Sequence, residues 1–289
     1  STATGTAGAA TQVALEAGDG QSATVGTAVA IAPTVIVRDQ FNNPVAGVEV
    51  TFAVTAGGGT VDPTTRVTTN ANGIAAAPWT LGTSVGSNSV TATADGLAAS
   101  PVSFSATGTS AAATQIALQA GDGQTTIVGT AVAIAPSVIV RDQFNNPVAG
   151  VAVTFAVTSG GGTVSPTTPV LTDDSGIAAL TFWVGGTSPG ANSLTATVDG
   201  LAGSPVTFTA TVTTDGPSQI ALQAGDGQTA TVGTAVATPP SVLVRDVFNN
   251  PIAGVPVTFA VTAGGGTVSP ATPVLTDANG IAVGAWTVR

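Results

Sequence analysis

Residues 48–54 read V-E-V-T-F-A-V, and Val48, Val50, Phe52 and Val54 alternate with Glu49, Thr51 and Ala53. Side chains on a strand point to opposite faces in turn, so the first set forms one apolar face. The alternation returns at Val151, Val153, Phe155 and Val157, and again at Val255, Val257, Phe259 and Val261. Working outward, strands are predicted over 12–17, 34–39, 73–81, 89–94 and 102–107. Turn-forming residues separate them: GDG at Gly18, FNNP at Phe41, GGG at Gly57, NANG at Asn70 and ADG at Ala94. No segment carries the i, i+3, i+4, i+7 spacing of an amphipathic helix, and the abundant Thr and Val are β-branched. The fold class is therefore all-β. Short strands with one apolar face each bury those faces against a second sheet, which predicts sandwiches.

The chain repeats itself. TQVALEAGDGQ at Thr11 returns as TQIALQAGDGQ at Thr114, 103 residues on, and as SQIALQAGDGQ at Ser218, a further 104. Residues 11–60 and 114–163 differ at eight positions in fifty, mostly by small swaps such as Val13 against Ile116. A period of this length is too long for a solenoid unit and suits a self-contained sandwich. Three domains are expected, over 10–108, 113–212 and 217–289, with residues 1–9 as the end of a preceding last strand or a linker. The joining stretches GTSAAA and VTTDGP are short, which restricts swing between neighbours.

The ordered run TVIVRDQFNNPVAGVEVTFAVTAGGGTV (34–61), TTNANGIAAAPWTL (68–81) and NSVTATADG (88–96) resembles the group one bacterial immunoglobulin-like domain of the intimin and invasin type. The resemblance runs through all three repeats. It implies immunoglobulin-like sandwiches in an elongated tandem array, used as a stalk on bacterial adhesins and other surface proteins. It implies no catalytic residues.

Composition narrows the chemistry. His, Cys, Met, Tyr and Lys are absent, which removes imidazole and thiolate ligands, the Cys and Lys nucleophiles and the His base. An enzyme is not expected, nor is a cofactor or a metal. Five Arg against fifteen Asp plus Glu give a net charge of −10, which repels nucleic acid and anionic lipid. No stretch approaches the ~20 apolar residues of a membrane helix. The composition favours an extracellular location, and the resemblance implies a bacterial cell surface.

Some residues invite a functional reading. Asp39, Asn42 and Asn43, with Asp142, Asn145, Asn146 and Asp246, Asn249, Asn250, offer oxygens to calcium. Their spacing is not that of an EF-hand loop, however, and a tight turn explains Asn-Asn-Pro as well. Asp19, Asp122 and Asp226 sit between glycines, where bonding to backbone is the default. Asp173 and Asp174 are adjacent, so they point apart and cannot face each other across a sugar. Arg38, Arg141 and Arg245 are expected to find cross-strand partners. Trp79 and Trp286 occupy equivalent core positions. In the second repeat Phe182 is placed there, which turns Trp183 outward as a candidate contact residue.

The third repeat stops at the equivalent of Gly82, so its last two strands are expected beyond Arg289, in the same chain or from another subunit. The functional expectation is a non-enzymatic structural stalk or extracellular filament whose partners are like neighbours. The alternatives are an adhesin-type binding module for host protein or glycan, and a phage or viral fibre component.

Overall fold

The computed structural model describes residues 1–2 and 4–289. By spatial proximity the chain divides into two compact units. One comprises 1–115, 140–151 and 173–176, and the other 116–139, 152–172 and 177–289.

The first unit holds the first repeat. Its strands are β1 (Ala10–Ala17), β2 (Gln21–Thr24), β3 (Thr34–Asp39), β4 (Glu49–Ala56), β5 (Gly59–Val61), β6 (Val67–Thr68), β7 (Ile74–Ala76), β8 (Trp79–Leu81), β9 (Gly86–Thr93) and β10 (Val102–Thr109). They form a three-stranded sheet β1-β3-β7, a five-stranded sheet β2-β10-β9-β4-β6 and a small pair β5-β8. In β10 Val102, Phe104 and Ala106 are buried while Ser103, Ser105 and Thr107 are exposed, the period-two pattern of a half-buried strand. Val13, Val35 and Val37 of the small sheet meet Val50, Phe52, Val90, Ala92 and Phe104 of the large one around Trp79. This is the predicted two-layered sandwich. β2 adds to the edge of β10 in parallel, from Gln21 opposite Ala106 to Thr24 opposite Thr109, a pairing absent from the sequence reading.

The stretch 73–81, predicted as one strand, is two. β7 pairs with β3 and β8 with β5. Pro78 between them has no N–H to give a ladder, and its carbonyl instead accepts from Asp62 N at 3.0 Å. The turn before β7 requires glycine: Gly73 has φ +71°, and a Cβ there would lie 2.6 Å from the Val37 carbonyl oxygen. Gly73→Ala is expected to cost about 1–2 kcal/mol from the left-handed backbone alone, read as a lower urea midpoint for the first repeat.

The second unit carries the corresponding large sheet of the second repeat, in the order 124–127, 206–213, 190–197, 152–159, 170–171, with Thr163–Ser165 paired to Phe182–Val184. Here the structure reverses the expectation for Trp183. Trp183 is fully buried and Phe182 is 39% exposed. Trp183 stands opposite Val164, as Trp79 stands opposite Val61, and Phe182 is opposite Ser165. The inserted residue is therefore Phe182, lying between Thr181, the counterpart of Pro78, and Trp183. Thr181 N donates to Ser165 O at 2.7 Å, where the first repeat has the Asp62 to Pro78 bond. Trp183 is therefore not the outward contact residue expected from the sequence: its ring fills the core.

The third repeat also lies in the second unit. Ser241–Arg245 pairs with Gln219–Ala224 and with Ile281–Val283. Only Pro256–Val257 of the expected 255–261 strand is regular, and it pairs with Val274–Leu275. Ile220, whose counterparts Val13 and Ile116 are 1% and 3% exposed, is 63% exposed. A cavity of about 410 Å³ opens between Leu222, Phe259, Val261 and Trp286.

Candidate functional site

The feature that recurs in every repeat with a worked-out polar geometry is the D-x-F-N-N-P turn. At Asp142 the strand ends and the chain reverses. Asp142 N donates to Asn146 O at 2.9 Å and Asn145 N to Asp142 O at 3.0 Å. Asn145 takes φ +72°, a left-handed angle that Asn tolerates. The Asp142 side chain is fully buried. Its Oδ1 accepts from Phe144 N and Asn146 N, both at 2.9 Å, and its Oδ2 from Asn146 Nδ2 and Ala111 N, also at 2.9 Å. The carboxylate thus ties its own turn to the linker that enters the repeat.

Asn146 reaches further. Its Nδ2 donates to Thr83 O at 2.8 Å, and its Oδ1 accepts from Val85 N at 3.2 Å, both in the 82–86 loop of the first repeat. The Phe144 ring lies over Gly26, where a Cβ would come within 3.1 Å of Phe144 Cζ. The same joint is built in the second unit. Asn250 Nδ2 donates to Thr187 O at 2.8 Å and to Asp246 Oδ2 at 2.9 Å, and Phe248 covers Gly129. Pro189 occupies the position of Val85 and has no N–H, so the second bond of the first joint has no donor here. The linker bond, Asp215 N to Asp246 Oδ2, is longer at 3.3 Å. Asn146→Ala is accordingly expected to destabilise its joint by about 1 kcal/mol more than Asn250→Ala, the worth of one hydrogen bond, measured by parallel urea titrations.

These carboxyls titrate low. At Asp39 the Asn43 side-chain amide is the largest influence. Burial opposes it, the N–H groups of Gly8, Asn43 and Phe41 add to it, and the pKa falls to about 2. At Asp142 and Asp246 burial pushes upward most strongly, but the donors from Asn146 and Ala111, and from Asn250 and Asp215, together outweigh it. Of the oxygens expected to suit a turn or calcium, both of the Asp39 carboxylate are engaged in turn bonds, and Asn42 Oδ1 accepts from Gln12 Nε2. Among the described residues no three acidic side chains cluster as metal ligands would.

The remaining candidates fall into place locally. Asp19 Oδ1 accepts from Ser105 N at 2.7 Å and Oγ at 2.9 Å, and Asp122 does the same with Thr209. Asp173 caps its own turn through Ser175 N. Arg38 and Arg141 donate to the turn carbonyls of Asn42 and Asn145 rather than to a cross-strand side chain. Arg66 and Glu49 form an exposed ion pair. The turns are legible in sequence as turns but the joint is not, because the Thr83 carbonyl and Gly26 carry no side-chain signal.

Residues 12–107 and 115–211 match the bacterial Ig-like domain (group 1) family, and the chain belongs to that family. No curated protein matches it in sequence. Among solved structures, the Escherichia coli adhesin FdeC is 20% identical with a TM-score of 0.61, over 98% of this chain and 90% of that one. InvD of Yersinia pseudotuberculosis is 18% identical with a TM-score of 0.53, over 92% and 82%. Invasin, described as a bacterial integrin-binding protein, is 20% identical with a TM-score of 0.40, over 96% and 54%. At these identities the likeness is one of fold: tandem Ig-like β-sandwiches. Among the described residues no helix is long and apolar enough to cross a membrane.

Proposed function

We propose that the chain is a non-enzymatic stalk or extracellular filament of an adhesin-type protein on a bacterial surface, with its repeats joined end to end. The observation that carries this reading is the joint, where one buried Asp–Asn turn binds both the linker and the loop of the preceding repeat, twice in the chain. A joint secured at two points resists bending, which is what a spacer requires. Membership of the bacterial Ig-like family and the description of FdeC as an adhesin support a surface role. The longest strands, of eight residues, rise about 26 Å, so three repeats in line with their joining stretches give a particle roughly 80–100 Å long. Small-angle scattering of the 289-residue chain tests this. The expected result is a rod of about that length, and a radius of gyration near 19 Å, that of a compact globule of this size, contradicts it.

Adhesive contact is the second reading, favoured by the naming of FdeC as an adhesin. Binding of the intact chain to a glycan array or to host cells tests it. Saturable binding supports adhesion, and none on either leaves the stalk alone.

A further inference from the structure

In each of the first two repeats the strand through which the chain leaves is paired with a strand near its entry that runs the same way. β2 lies parallel to β10, and Gln124–Ile127 lies parallel to Val206–Thr213. Both pairings are fastened at each end. Gly20 N donates to Ser105 O at 3.0 Å and Val25 N to Thr109 O at 2.9 Å, and Gly123 N and Val128 N do the same with Thr209 and Thr213. Asp19 and Asp122 clasp the start through Ser105 and Thr209. Tension along the chain draws β2 toward its N-terminal end and β10 toward its C-terminal end. Parallel neighbours are then sheared along their length, so the ladder bonds share the load and fail together. An antiparallel pair loaded at the same termini would open one bond at a time.

The two pairings are unequal. Residues 11–60 and 114–163 differ at eight positions, and three of these are consecutive: Ser22, Ala23 and Thr24 of β2 correspond to Thr125, Thr126 and Ile127. The partner strand changes with them, because Ala23 stands opposite Gly108 and Thr126 opposite Val212. Glycine inside a strand weakens it, and β-branched pairs across a ladder strengthen it. Thr126 Oγ1 also donates to Ala131 O at 3.0 Å, a bond that Ala23 has no hydroxyl to make. Room for the larger pair comes from Gly185, where the first repeat has the buried Leu81. A Cβ on Gly185 would lie 2.8 Å from Val212 Cγ2 and 3.1 Å from Thr126 Cγ2. The second repeat has thus moved side-chain volume into the strands that carry the load.

We infer that these parallel pairs are force clamps of graded strength, so that under tension the first repeat yields before the second. The inference rests on the stalk reading and adds load-bearing to it. A spacer that yields one repeat at a time lengthens in steps and limits the load on whatever it holds.

The test is to stretch the full chain between handles on its two termini at constant tension and to time each unfolding step. A step of roughly 300 Å, the extended length of about a hundred residues less the folded repeat, marks the first or the second repeat. Forced unfolding follows the unfolding rate rather than the equilibrium stability. One of the two steps is expected to occur about tenfold faster than the other, the rate equivalent of one hydrogen bond with a better cross-strand pair. Asp19→Asn is expected to speed the faster step only, and Thr126→Ala the slower step only. Gly176→Ala, in a turn outside the clamp, is expected to lower the urea midpoint while leaving both rates under tension unchanged. Should Thr126→Ala fail to fold, the unaltered chain and Asp19→Asn still decide. Equal rates for the two steps overturn the grading. A slower step that Gly176→Ala and Thr126→Ala accelerate alike overturns the clamp, since the barrier then lies elsewhere. Graded steps together with scattering from a compact globule would retain the clamps and reject the stalk.

Discussion

Trp183→Ala is expected to lower the stability of the second repeat by about 3–5 kcal/mol, the usual cost of deleting a large aromatic ring from a core. Phe182→Ala, one residue away, is expected to change it by less than about 0.5 kcal/mol, as exposed positions do. The contrast follows from register. Trp183 lies opposite Val164 and is fully buried, and Phe182 lies opposite Ser165 and is 39% exposed. The Trp183 indole N–H has no acceptor among the described residues, so the ring serves as apolar bulk and its loss leaves a void rather than a broken bond. A chain of several domains need not unfold in one step. The comparison is therefore best made by hydrogen exchange of amides in 190–197 and 206–213, which report the second repeat. Equal losses from the two substitutions would place the inserted residue elsewhere.

The second large effect is acid loosening of the joints. Asp39, Asp142 and Asp246 have pKa values below that of an unfolded carboxyl, and Asp39 lies at about 2. A group whose folded pKa is depressed stabilises the fold above its unfolded pKa, near 3.9, and loses that contribution as pH falls through the folded value. Stability is thus expected to hold at neutral pH and decline between about pH 4 and pH 2. Asp142→Ala should remove part of this acid dependence, and at pH 7 should cost about 1.5–3 kcal/mol for the charge-assisted hydrogen bonds it ends. Thermal unfolding across pH 2–7 for both chains measures both effects. An unchanged acid limb in the variant would mean that Asp142 is not among the groups that titrate on unfolding.

Most of the sandwich was legible because strand periodicity and turn chemistry are local. The 34–39 strand falls on Thr34–Asp39, and Val50, Phe52 and Phe104 face the core as their alternation requires. What was not legible depends on partners far away in sequence. The break at Pro78 arises because β7 and β8 pair with different strands. The register of Trp183 hung on where a single extra residue lies. The signal was present in the sequence: Gly73 to Gly176 is 103 residues, Asn88 to Asn192 is 104, and Trp79 to Trp183 already follows the longer spacing. The joint escaped because its acceptor is a main-chain carbonyl at Thr83 and its seat is a glycine, Gly26. Neither stands out among so many of its kind.

The most direct test of the hinge-fixing role given to the Asp–Asn turn is native-state hydrogen exchange at Ala111 and Val85. These two amides lie in a linker and a loop and donate to Asp142 and Asn146. At neutral pH both are expected to exchange at least about tenfold more slowly than in an open peptide, and Asn146→Ala should release Val85 while leaving the interior of β9 and β10 protected. Exchange of both amides at open-peptide rates in the unaltered chain would mean that the repeats hang from free linkers.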